Sequence, residues 1–308
     1  MIKMYSYGKL NLFLDVEGRL PNGYHKIKTV MQSIKLHDEI YIESSEQDKI
    51  IIECNNPYIP VNEKNTCYKA ACIVKEKYHI GSGVIIRINK TIPSEAGLAG
   101  GSSNSAAVIH GLNTLWNLNL AIDEMLQIGL KVGADVPFCL TGGTYLAEGI
   151  GEKLFKLNDF VWNDILIVKP PFSMSTAFVY NNLNADYYNL FQNNEMINYI
   201  NTGDFLSAAK STSNTLEKVV EKLHPELNNI KALMFQNGAL TSMMTGSGSA
   251  VFGLFNCSES LNAAFNQISV LYPNTFKTST CLQGTQIFVW NHWYLGIRFN
   301  NRKWDGWR

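Results

Sequence analysis

The sequence predicts an α+β protein of two domains with a ligand cleft between them. Three observations carry this. At 308 residues the chain is long for one hydrophobic core and of a length that usually divides in two. Strand-like stretches of period two and helix-like stretches of period near 3.6 are mixed in both halves. Two glycine-rich segments, "EAGLAGGSSNSAA" and "TGSGSA", lie one in each half and let the backbone approach a ligand.

The elements follow in order. Leu10, Leu12, Leu14 and Val16 alternate with Asn11, Phe13 and Asp15, the pattern of a half-buried strand, which the turn "GRLPNGYH" ends. Further strands are expected at Asp38–Ser44, Lys49–Cys54 and Val84–Ile88, and a helix capped by Asn65 runs through Ala70, Ala71, Val74 and Tyr78. After the first glycine segment, Ala106, Ile109, Leu112 and Trp116 keep helical spacing, with Ser102, Ser103 and Asn104 as capping residues. Another helix is expected near Ile122–Lys131, then short strands punctuated by glycine pairs in "VGADVPFCLTGGTYLAEGIGE". The pattern restarts with a strand in "DILIVKPPF" and helices at Thr215–Leu223 and Leu227–Gln236, the second ended by Asn237-Gly238. The second glycine segment reads as a turn between two strands, and Leu261, Phe265, Ile268 and Leu271 mark a last helix. The expected division is residues 1–158, 159–286 and a tail, 287–308.

Composition excludes some partners. With 26 basic and 26 acidic residues the net charge is zero, so there is no electrostatic case for nucleic acid or an anionic membrane, and a small-molecule substrate is expected. The six cysteines form no C-x-x-C pair and no cluster with histidine, so reduced thiols and no protein metal cluster are expected. No signal-peptide core and no apolar run of spanning length is visible, which gives a cytoplasmic expectation. Trp290, Trp293, Trp304 and Trp307 crowd the last nineteen residues beside Arg298, Arg302, Lys303 and Arg308. Such a tail reads as an aromatic, basic contact surface or as a peripheral extension without a site, and the extension is expected.

The first glycine segment matches neither common nucleotide fingerprint: no lysine follows as in a phosphate loop, and the glycines do not space as G-x-G-x-x-G. Its chemistry still suits polyphosphate. Successive glycines turn N–H groups inward, a helix N-terminus adds positive potential, and Ser102 or Ser103 offers a hydroxyl to phosphate or Mg2+.

The run "PSEAGLAGGSSNSAA" resembles the second motif of the GHMP kinases, the family of galactokinase, homoserine kinase and mevalonate kinase, typically P-x-x-x-G-L-G-G-G-S-S. Ala99 stands where that motif commonly has glycine, and Ser94-Glu95 departs from the usual small pair. "YGKLNLFLDV" and "MTGSGSAVFG" resemble the first and third motifs, in the right order. The resemblance covers about residues 3 to 285. It implies a ribosomal-S5-domain-2-like N-terminal domain and a ferredoxin-like α/β C-terminal domain, with ATP and Mg2+ used in the cleft. Asp135, in "GADVP", would accept the proton of the attacking hydroxyl, with Lys9 beside it. Pro93, Gly97, Leu98, Ala99, Gly100, Gly101, Ser102, Ser103 and Asn104 would hold ATP.

The G-Y-H of Gly23, Tyr24 and His25 resembles the family branch whose acceptor is a cytidine diphosphate-linked methylerythritol, phosphorylated on its 2-hydroxyl in the non-mevalonate route to isoprenoid precursors. The resemblance assigns Tyr24, His25, Tyr180 and Thr176 to the cytidine end, Asn11 to the methylerythritol hydroxyls, and Gly246, Ser247 and Gly248 to the diphosphate. A monomer or weak homodimer is expected. A kinase of another small alcohol, such as homoserine or mevalonate, and a non-catalytic nucleotide-binding protein of the same fold stand as alternatives.

Overall fold

The computed structural model describes residues 1–192 and 194–289. Two strands longer than the sequence pattern suggests form its spine. β1 (Ile2–Arg19) and β2 (His25–Ser45) pair antiparallel around the turn at 20–24, and register irregularities at Tyr7/Lys9, Asn11/Phe13 and Val16/Gly18 bend the ribbon. None falls between Lys9 and Asn11, so these two share a face.

β3 (Ile50–Cys54) and β4 (Gly83–Asn89) are parallel neighbours beyond the second half of β2, and α1 (Thr66–Lys77) is the crossover between them. Its N-cap is as the sequence indicates, with Asn65 Oδ1 accepting the Cys67 N–H at 2.9 Å. α2 (Gly100–Leu115), α3 (Ile122–Val132) and α4 (Val136–Thr141) join α1 on the sheet, burying Ile40, Ile42, Ile86, Ala106, Ile109 and Leu112 in one core. The α4 stretch was expected as strand. Pro137 in its first turn, where a missing N–H costs nothing, and Gly142 at φ +66° make it a helix instead. β5 (Thr144–Gly149) pairs with the first half of β2 and with β6 (Lys153–Lys156).

The second half holds β7 (Ile165–Val168), α5 (Thr176–Asn181), α6 (Met196–Thr202), α7 (Phe205–Lys210), β8 (Ser213–Asn214), α8 (Glu217–Leu223) and α9 (Glu226–Gln236). Then come β9 (Ala239–Met244), β10 (Val251–Phe255), α10 (Ser258–Leu271), β11 (Thr275–Thr278) and β12 (Thr285–Val289). A second sheet of four antiparallel strands has the order β11-β7-β10-β9 and shares a core with α8, α9 and α10 through Val168, Val251, Val220, Ile230 and Ile268.

Two short pieces return to the first sheet. β8 pairs parallel with β1 at Phe13 and Leu14, and β12 pairs antiparallel along Ile2–Ser6. Residues 287–289 are therefore sheet rather than tail, and the tryptophan-rich remainder lies outside the described residues. The half-buried reading of β1 is also corrected, because residues 6–16 are buried throughout. Leu10, Leu12 and Phe13 pack with Ile165, Ile167 and Phe252 of the second sheet, so both faces are covered. The polar residues of the alternation face the cleft or a buried network, not solvent. Among the described residues no helix is long and apolar enough to cross a membrane.

Candidate active site

A cleft of about 1100 Å³ runs between the glycine segments, and it brings together every residue the sequence singled out except Ser103. At its floor lie Lys9 and Asn11 on β1, both nearly fully buried. Lys9 Nζ donates to Asn11 Oδ1 at 2.5 Å and to Gly97 O at 2.9 Å, and stands 3.9 Å from Asp135 Oδ2. A buried ammonium needs such partners. The Asn11 amide is largely spent inside the protein: its oxygen serves Lys9, and its Nδ2 donates to Thr29 Oγ1 at 2.8 Å, leaving one N–H for a ligand.

Asp135 precedes α4 in the cap position, yet its side chain makes no capping bond, and it is 34% exposed. The carboxylate thus has no role in terminating the helix and is open to the cleft.

The first glycine segment is built on β1. The Lys9 backbone N–H donates to Leu98 O at 3.1 Å, and Ser103 Oγ donates to Tyr7 O at 2.6 Å. Ser103 is fully buried, with its hydroxyl on Tyr7 O, and is not among the residues that line the cleft. Ser102 lines the cleft. The helix begins at Gly100, two residues before the expected serine cap. Its N-cap, Ala99, adopts the left-handed conformation at φ 55° and supplies no side-chain bond to the first turn. A non-glycine residue there costs about 1–2 kcal/mol, which explains the glycine usual in this motif. The first-turn N–H groups have no side-chain cap. That end is suited to an anion.

The two glycine segments dock on each other by backbone. A side chain at Gly97, whose φ is +73°, would place its Cβ 2.1 Å from Thr245 O. Ala250 N–H donates to Ala96 O at 3.2 Å, and Ser249 N–H to Glu95 O at 3.3 Å. From the far side, Thr176 Oγ1 and Ser247 Oγ share a hydrogen bond of 2.9 Å.

At the other end Tyr24 is exposed on the β1–β2 turn and His25 is buried. The His25 and Tyr180 rings lie 5.2 Å apart and tilted by 30°, with Tyr188 edge-on to His25 at 6.0 Å. Rings so spaced are in contact. The facing sides of these two rings are therefore occupied by each other. Burial, with Arg19 adding to it, lowers the His25 pKa. The neutral imidazole offers one donor and one acceptor. Burial, then the Asp135 charge, raises the Tyr180 phenol.

The sequence reading missed Lys90 and Asp38. Lys90 lines the cleft and its Nζ is 2.8 Å from Asp38 Oδ2, both side chains almost fully buried. Asp38 Oδ1 also accepts the N–H groups of Thr91 and Ile92 at 2.6 and 2.7 Å. This pair anchors the entry to the glycine segment. No local spacing could have shown it. Asn65, seen only as a cap, lines the same wall, as do Ile59, Pro60 and Thr66. Among the described residues no group of three or more His, Cys, Asp and Glu is placed to hold a metal.

Known proteins resemble this chain over nearly its whole length. Models of the GHMP kinases N terminal domain and the GHMP kinases C terminal match residues 65–143 and 196–274. A 4-diphosphocytidyl-2-C-methyl-D-erythritol kinase of Caldicellulosiruptor bescii is 43% identical over 281 residues, covering 91% of this chain and 98% of that protein. One from Clostridioides difficile is 41% identical over 288 residues, covering 93% and 97%. A crystal structure of a 4-(cytidine 5'-diphospho)-2C-methyl-D-erythritol kinase superposes with a TM-score of 0.76 at 27% identity, covering 90% of this chain and 98% of that one. Homoserine kinase from Cytophaga hutchinsonii reaches 0.75 at 19% identity, a likeness of fold alone. With identity above two-fifths along nearly the whole length of such relatives, and a family match in each half, the chain belongs to the GHMP kinases.

Proposed function

We propose that this protein transfers the γ-phosphoryl group of ATP to the 2-hydroxyl of 4-diphosphocytidyl-2-C-methyl-D-erythritol, giving ADP and the 2-phosphate, a step toward isoprenoid precursors by the non-mevalonate route. One observation carries the reading. A carboxylate open to solvent and a buried ammonium 3.9 Å from it stand where two glycine segments meet, in a cleft that also holds Tyr24, His25 and Tyr180.

Asp135 hydrogen bonds the acceptor hydroxyl and takes its proton as the oxygen–phosphorus bond forms and the bond to the ADP oxygen breaks. A carboxylate is a weak base for an alcohol and works here by position. Lys9 orients the hydroxyl and offsets the negative charge that develops on the transferred group. Residues 97–102 cradle the ATP phosphates through backbone N–H groups and the Ser102 hydroxyl. His25 reads the base edge, Tyr24 supplies a stacking face, and Thr176 with Ser247 meets the acceptor across the cleft.

Mg2+ would bind chiefly through the nucleotide, since the protein offers the Ser102 hydroxyl and no carboxylate cluster among the described residues. When bound it neutralises phosphate charge. The direct test is ADP release with ATP·Mg2+ against diphosphocytidyl-methylerythritol, methylerythritol phosphate, homoserine and mevalonate. Turnover of the cytidylated acceptor alone is expected. Preference for another alcohol, or ATP binding without turnover of any, overturns the assignment.

A further inference from the structure

The second glycine turn is held from behind by a side chain outside the cleft. Asn214, on β8, is 4% exposed, and its Nδ2 donates to Met244 O at 2.7 Å and to Gly246 O at 2.8 Å. Its Oδ1 accepts the Leu216 N–H at 2.9 Å, so the whole amide is engaged. Neighbouring residues brace it. Thr215 Oγ1 donates to the buried Asp15 Oδ1 at 2.6 Å, and Glu217 Oε2 accepts the Met244 N–H at 2.6 Å. β8 lies on β1 only three residues beyond Asn11, which ties the turn to the strand that carries Lys9.

The consequence follows from the planar peptide. In a trans unit the C=O and the N–H point in opposite directions. The Gly246 C=O is turned toward Asn214, so the Ser247 N–H points away from it. Ser247 lines the cleft, and among the described residues its N–H has no hydrogen-bond partner. A backbone N–H that has no partner within the protein is free to donate to a ligand. Gly246, at φ +56°, leaves its own side of this peptide free to rotate, so a side chain that holds the carbonyl restricts it.

We propose that Asn214 is a positioning residue that locks the Gly246–Ser247 peptide with the Ser247 N–H presented to a phosphate oxygen of the bound acceptor or nucleotide. The inference rests on the phosphotransfer reading above, and the experiment separates the two. Steady-state kinetics are compared for the wild type and Asn214→Ala, Asn214→Ser and Asn214→Asp, well below each melting temperature. A lost hydrogen bond to a charged group predicts kcat/KM lower by about 10- to 100-fold in Asn214→Ala. Asn214→Asp should fall further, because a carboxylate repels both carbonyls, and Asn214→Ser should recover part of the loss through its single donor. The ligand whose KM rises identifies the phosphate concerned. A folded Asn214→Ala within threefold of wild type overturns the proposal.

Should the variants fail to fold, the wild type decides. Protein labelled with ¹⁵N-serine is titrated with Mg·ADP and then with diphosphocytidyl-methylerythritol, and the Ser247 amide is assigned by its disappearance in Ser247→Ala. A shift with one of the two is expected. No shift with either overturns the proposal. A wild type that turns over no acceptor defeats the functional reading, while the amide titration still decides the placement of the N–H.

Discussion

Lys9 and Asp135 face each other across 3.9 Å, and only one of them is tied down. The ammonium is fixed by Asn11 and Gly97, whereas the carboxylate makes no capping bond and is open to the cleft. A fixed cation beside an unencumbered base is the arrangement a positioned proton acceptor needs.

This asymmetry separates the two variants. Asp135→Asn keeps shape and breaks no structural bond, so kcat falls by about 100-fold or more while the melting temperature holds. Lys9→Met lowers kcat as well, and it also destabilises by about 1–3 kcal/mol because two buried acceptors lose their donor. ADP release and thermal melting read both effects. Asp135→Asn with wild-type turnover would remove the carboxylate from the mechanism.

Backbone docking of the two glycine segments predicts opposite outcomes for neighbouring small residues. Gly97→Ala forces a Cβ to 2.1 Å from Thr245 O at a positive φ, so about 3 kcal/mol or more of stability is lost. Ala99→Gly relieves a left-handed alanine at φ 55° and should stabilise by about 1 kcal/mol. Urea unfolding midpoints measure both. A Gly97→Ala protein as stable as wild type would show that the segments do not meet as described.

The lowered pKa of His25 makes stability depend on pH. The folded state resists protonation, so the unfolded state binds more protons below the ordinary value of 6.5. The contribution is complete above that value and is lost as pH falls from it through the depressed folded pKa. His110, also lowered by burial, acts in the same direction. Urea midpoints should therefore drop between pH 7.5 and 5.5, and less steeply in His25→Gln. Identical slopes for both proteins would exclude His25 as a contributor.

Chelation should silence the enzyme without unfolding it. The described residues hold no metal cluster, so EDTA is expected to abolish turnover, restorable by Mg2+, with no change in melting temperature. Turnover in EDTA, or a lowered melting temperature, would contradict a metal carried by the nucleotide.

Much of the fold was legible because it is encoded by short spacing. The Asn65 cap, the helix at 122–132, the Asn237-Gly238 stop and the strand–turn–strand at 239–255 all follow from residues within a few positions of one another. Where the reading failed, distant packing had intervened. The period-two pattern of β1 reads as half-buried, yet the second sheet covers its other face. α4 failed for a local reason, since proline in a first helical turn resembles a strand-breaking turn when read alone.

The sequence by itself determined the α+β class, the glycine turns and the chemical types at the site, because periodicity and turn chemistry act over neighbouring residues. Only the tertiary structure decided which of them meet. Lys9 reaches Gly97 across 88 positions, and Asn214 reaches Gly246 across 32. Lys90 joins Asp38 across 52. Such contacts depend on how strands and helices close over a shared core, and no local period carries that information.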